Sequence, residues 1–237
     1  MGQSEWRRVA GMRVVLSWPS DGYSQPPRRP RPGLGARFLT LAGLALTCFG
    51  LIAIAVVFLS QVHAPRPSAS AAGTTGADRT LQLRRSVPVS ISIPAIGVDT
   101  SLLRLGDTAA GAMAVPDLAT SEQLAAWYKY SPTPGELGAS VILGHVDGYS
   151  RPAVFFRLGA LVPGDMVNVT LQDGVTAEFR VTGVRLYAKT AYPASLIYSA
   201  RGYAGLRLIT CGGGFDYSTG HYLSAVVVFA ALASSRR

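Results

Sequence analysis

Leu206-Arg207-Leu208-Ile209-Thr210-Cys211-Gly212-Gly213 is a short apolar run that carries a cysteine and stops at glycines. The run predicts a strand. Strand alternation then sets Arg207, Ile209 and Cys211 on one face and Leu206, Leu208 and Thr210 on the other. A strand holds a side chain rigidly, and glycines after it leave room for another backbone to come close. A thiol placed there is presented to a cleft. The competing reading is a packed thiol, since a free cysteine is among the most buried residue types and reactivity needs a suitable environment.

His145 has a similar setting. It follows Val141-Ile142-Leu143-Gly144 and precedes Val146-Asp147-Gly148, so it also stands where an apolar strand gives way to a loop. Two such strand ends can bring an imidazole and a thiol together, which is what acyl transfer through sulfur needs. Taken alone, a histidine in this setting is more often a hydrogen-bonded structural residue. The third requirement is a positive or donor group where oxyanion charge develops. Arg207 is the candidate, against the alternative that it lies near the strand's start and reaches solvent.

Outward from these residues the texture is that of short strands. Val89, Ile91 and Ile93 alternate with Pro88, Ser90 and Ser92, which is strand period. Residues 139–144, 166–171, 177–187, 206–210 and 222–231 read as further strands. Asp173-Gly174 is a hairpin signal, and Ser131-Pro132-Thr133-Pro134-Gly135 is a loop. Leu118 to Trp127 reads as one short helix capped by Thr120 or Ser121. Many short strands with Gly and Pro turns and little helix predict an all-β domain closed into a barrel.

The N-terminal third is different. The chain of 237 residues is 49% hydrophobic and only 15% charged, low enough to call for a membrane segment. Residues 38–62 contain no charge and are long enough to span a bilayer as a helix. Arg7, Arg8, Arg13, Arg28, Arg29, Arg31 and Arg37 precede them against only Glu5 and Asp21. The positive excess predicts a signal-anchor with the N-terminus cytoplasmic and the C-terminus exported. The expected domains are a basic disordered tail at 1–37, a transmembrane helix at 38–62, a Pro/Ala/Ser/Thr/Gly linker at 63–85 and a β-domain at 86–237.

Some functions are disfavoured. The net charge of +9 sits mostly in the tail, and no nucleic-acid-binding motif accompanies it. His63, His145 and His221 show no metal-ligand spacing. Cys48 falls in the apolar run, which leaves Cys211 a lone thiol without a Cys-x-x-Cys partner, and so argues against disulfide exchange. No cofactor or metal is expected.

The segments Gly144-His145-Val146-Asp147, Ala153-Val154-Phe155-Phe156-Arg157-Leu158-Gly159, Pro163-Gly164-Asp165 and Leu206 to Gly213 with Phe215-Asp216 resemble the sortases, cysteine transpeptidases of Gram-positive cell surfaces. The likeness spans about Val87 to Ala231, and is to the actinobacterial class often called class F. The resemblance implies an eight-stranded sortase-type barrel with short helices. It implies that Cys211 forms an acyl-thioester with an LPXTG-like sorting signal of a surface protein. A peptidoglycan-precursor amine would resolve that thioester, and His145 would move the protons.

One departure stands out. The family's third catalytic residue is an arginine where the last strand begins. Here that stretch reads Gly220-His221-Tyr222-Leu223-Ser224, with no arginine between Cys211 and Arg236. Arg207 could supply the charge, or backbone N–H groups near Gly212 could, or the activity could be weakened. Two other functions stay open: a non-enzymatic surface β-domain, and a thiol hydrolase of the same fold.

Overall fold

The computed structural model describes residues 63–73, 81–149 and 151–237. The expected tail, the apolar run 38–62 and Cys48 lie outside them. Among the described residues no helix is long and apolar enough to cross a membrane.

Eight strands form a closed barrel: β1 (Pro88–Ile93), β2 (Val98–Leu105), β3 (Ala125–Tyr128), β4 (Gly138–Leu143), β5 (Met166–Leu171), β6 (Thr176–Ala188), β7 (Ala204–Asp216) and β8 (His221–Arg236). Around the wall the order is β1-β2-β3-β4-β7-β8-β6-β5. β1 closes the barrel on β5. Two neighbouring pairs, β2 with β3 and β4 with β7, are parallel, and the rest are antiparallel. Closure leaves no free sheet edge, which explains how short strands persist here.

The alternation read from β1 is the packing pattern itself. Ile91 and Ile93 face a core shared with Val167, Val169, Phe179, Leu206 and Leu208. A second, smaller apolar cluster lies on the outer face of β4, β7 and β8, where Val141, Leu143, Ile209 and Val227 pack against Ile197. Ile197 ends a single-turn helix, α2 (Ala194–Ile197), in the connection from β6 to β7. The outer face bearing Cys211 is therefore part apolar cover and part open.

Three expectations need correction. The helix predicted over Leu118 to Trp127 is a single turn, α1 (Leu118–Ser121), capped by the Asp117 carboxylate rather than by Thr120 or Ser121. Residues 125–128 are strand β3 instead, with Trp127 fully buried. Pairing in parallel with β2 overrides the helix propensity of two alanines. Nor does β7 stop at its glycines. It runs to Asp216, with an irregularity between Gly212 and Phe215 where Gly213 takes φ +78°. A Cβ on Gly212 would lie 2.9 Å from Val226 Cγ2, so the glycines let β8 come close, as their type suggests. Finally, part of the expected linker is packed on the barrel. Residues 69–72 form a 3-10 turn, Ala71 is fully buried in the main core, and Arg185 donates to the Ala72 carbonyl at 2.8 Å.

Candidate active site

The parallel β4–β7 ladder runs Gly138↔Ala204 through Leu143↔Ile209, a constant offset of 66. The Gly144 N–H continues it by donating to the Ile209 carbonyl at 3.2 Å. The same offset sets His145 level with Cys211. Val141 and Leu143 share the outer face with Ile209, so alternation turns residue 145 to the side that carries Cys211. Adjacent strands lie about 4.8 Å apart, which puts the two backbones within side-chain reach of each other.

Each residue is held from behind. A Cβ on Gly144 would sit 2.7 Å from Phe155 Cδ2, so only glycine lets the 153–156 turn pack beneath this point. That turn returns a bond, Phe155 N–H to the His145 carbonyl at 2.9 Å. The imidazole Nε2 lies 2.6 Å from the Pro116 carbonyl oxygen. A carbonyl only accepts, so Nε2 carries the proton and Nδ1 of the neutral ring is left with its lone pair. Pro116 leads into the α1 cap. The Asp117 carboxyl is held below the usual carboxylate range, first by the Thr120 hydroxyl, then by backbone N–H bonds, with a smaller contribution from His145.

Cys211 is half-buried, and is the free cysteine of the described residues. Its sulfur lies 3.6 Å from Lys189 Nζ, which donates to it. Lys189 follows the end of β6. Tyr187 pairs with Ala225 of β8, and Ala225 pairs with Cys211, so the three stand in one row across the wall.

Tyr222 opens β8 beside this row and donates its phenolic hydrogen to the Asp147 carboxylate. Asp147 lies two residues after His145, so the bond pins the His145 loop to the start of the last strand. Burial, and then the Asp147 bond, push the Tyr222 phenol well above its ordinary range, and the nearby Cys211 adds to this. The phenol is therefore neutral at physiological pH. Phe215 packs edge-on against Tyr222 with ring centroids 5.0 Å apart.

Arg207 is elsewhere in every sense but parity. It is 1% exposed, so it does not reach solvent. Its guanidinium donates to the carbonyls of Ile197 at 2.8 Å, Leu206 at 3.1 Å and Ser199 at 2.9 Å, and to the Tyr203 hydroxyl at 3.1 Å. It also lies over the Phe229 ring at 4.7 Å. It stands four positions before Cys211 on the strand, roughly 13 Å at a strand's rise. What the guanidinium organises is the β6–β7 connection. His221 is exposed, opposite Asp216. Among the described residues no cluster of side chains could hold a metal ion.

Lys189, Tyr222 and Asp147 were not singled out by sequence. The signal available was the gap after Cys211. Tyr222 fills it, but only strand order could reveal Lys189.

The profile of the family described as Sortase domain matches residues 91–233. No curated protein matches the chain. Similar solved structures include sortase A from Corynebacterium diphtheriae, 24% identical over 64% of this chain and 62% of that one, with a TM-score of 0.48. The chain thus spans less than two thirds of that protein's length. Sortase C1 from Streptococcus agalactiae is 22% identical over 62% and 67% of the two chains, with a TM-score of 0.48. SrtA sortase from Actinomyces oris is 16% identical over 72% and 90%, with a TM-score of 0.46. With more than half its length matched by the family profile, the chain belongs to the sortase family of cysteine transpeptidases.

Proposed function

We propose that this protein is a membrane-anchored transpeptidase that cleaves an LPXTG-like sorting signal through an acyl-thioester on Cys211. The acyl group passes to an amine of a cell-wall precursor. The observation that supports this best is the β4–β7 register, which sets His145 level with Cys211 on one face. The Pro116 carbonyl fixes the imidazole tautomer, leaving Nδ1 to take the thiol proton. The Sγ pair then attacks the scissile carbonyl carbon. When the tetrahedral intermediate collapses, the proton held on His145 goes to the departing amine, and the thioester remains. An incoming amine reverses these steps and is deprotonated by the same imidazole.

In this reading Arg207 is a positioning residue that acts through the β6–β7 connection. The class F subtype, the extracellular placement and the anchor at residues 38–62 rest on the motif segments, on hydropathy and on the arginines before the apolar run.

The test is mass spectrometry of the purified protein mixed with a panel of sorting-signal peptides, with and without an added amine. The expected result is an acyl adduct on Cys211 that the amine discharges. Cys211→Ala removes the adduct, and His145→Ala slows its formation by roughly 10²–10⁴-fold, the range for a general acid–base. No adduct with any peptide, or an inert Cys211 thiol in folded protein, would return the β-domain to a binding role. Discharge at the same rate without amine would make it a hydrolase.

A further inference from the structure

We infer that Lys189 is the cationic catalytic residue of this site, a role that rests on the transpeptidase reading above. The reaction develops negative charge twice, on Cys211 Sγ and then on the carbonyl oxygen of the tetrahedral intermediate. Both places need a donor or a positive charge. Arg207 is buried about four residues down the strand with its donors engaged by carbonyls. Tyr222 gives its hydroxyl hydrogen to Asp147. The sequence after Cys211 holds no arginine before Arg236. Lys189 touches the sulfur itself, at 3.6 Å.

The geometry suits both moments. In the resting site the ammonium donates to Sγ. When the sulfur pair forms the S–C bond, the carbonyl π pair moves to oxygen, on the atom next to the sulfur. The sulfur no longer carries the charge, and an exposed four-carbon stem can swing its ammonium to the oxygen. The ammonium donates a hydrogen bond and keeps its proton. On collapse the pair returns to the carbonyl, the C–N bond breaks, and the amine leaves with the proton from His145. No oxidant or further reactant is required. Lysine reaches the site from the far side of β8, two residues beyond the Tyr187–Ala225–Cys211 row.

The test uses Lys189→Met and Lys189→Arg, both at an exposed position where the fold is not at stake. The first readout is independent of any sorting signal: alkylation of Cys211 by anionic iodoacetate divided by alkylation with neutral iodoacetamide. A charge this close to the sulfur favours the anion, so the ratio falls roughly three- to fivefold in Lys189→Met and is kept in Lys189→Arg. The gap between wild type and Lys189→Met closes as salt is added. The second readout is single-turnover acylation by a sorting-signal peptide. Its rate constant falls about 10²-fold in Lys189→Met with KM little changed, and Lys189→Arg recovers most of it. An unchanged alkylation ratio overturns the contact. A lowered ratio with unaltered acylation overturns the catalytic role. Absence of acylation in the wild type, with the ratio behaving as expected, rejects the transpeptidase reading instead.

Discussion

Two positions on one face of β7, one near its start and one near its middle, meet cations in opposite states. At the lower end Arg207 is sealed from water and fixed by three carbonyls, a hydroxyl and an aromatic face. Further up, Cys211 is half-open, and Lys189 reaches it on an exposed, flexible stem. Sharing a face along a strand therefore says nothing about sharing a task. A buried guanidinium saturated by backbone oxygens is a tie for a loop, because turning any donor away would strand an unpaired carbonyl. A solvated ammonium loses little by moving.

The strongest challenge to this contrast is at the sealed end. Arg207→Ala leaves the carbonyls of Ile197 and Ser199 without their donor and is expected to destabilise the fold by about 3 kcal/mol. For a domain of this size that is roughly 6–12 °C in Tm. Calorimetry of the variant checks it, together with iodoacetamide alkylation of Cys211 in the fraction that stays folded, which should run at the wild-type rate. Full stability with lost thiol reactivity would mean that Arg207 serves Cys211 directly.

A smaller effect is expected at the open end. Tyr222→Phe keeps the ring against Phe215 but frees Asp147, and Asp147→Asn weakens the same bond. Each should slow acylation about tenfold through a looser His145, within the range for a hydrogen bond to a charged group. Since both break one interaction, the double variant should be no worse than the single ones. Additive losses would show two separate roles.

The faintest effect belongs to the α1 cap. A depressed carboxyl pKa gives Asp117 a stabilising share that is complete above the ordinary value of 3.8 and is lost as pH falls through the lower folded value. Asp117→Asn retains a capping side chain and should flatten the fall in Tm below pH 4, with little change at pH 7. An identical acid profile in the variant would remove this cap from the account of how Pro116, and with it His145, is held.

The barrel was legible where side chains alternate cleanly and turns are marked. Ile91 and Ile93, the Asp173-Gly174 hairpin and the Leu206–Thr210 run all announced their strands. β3 was hidden because Ala-Ala-Trp-Tyr has no alternation to read, and its partner β2 carries serine and threonine among its leucines. His145 was legible as a strand end followed by a loop, and Cys211 by its apolar strand, although β7 runs on past it to Asp216. Their shared level was not, since it depends on β4 and β7 lying side by side and parallel. Lys189 could not be found from the chain alone. Its relation to the thiol passes over a third strand, and only the order β7-β8-β6 supplies it.

The β4–β7 ladder also has a consequence in time. It joins residues sixty-six apart in the chain, 209 − 143 = 66, with the whole β5–β6 hairpin made in between. Contacts of such separation are slow to close, because the intervening loop must be ordered first. Thiol and imidazole thus become neighbours only once that ladder closes. On refolding, a competent Cys211 should emerge at the pace of the barrel's slowest step rather than with the early hairpins.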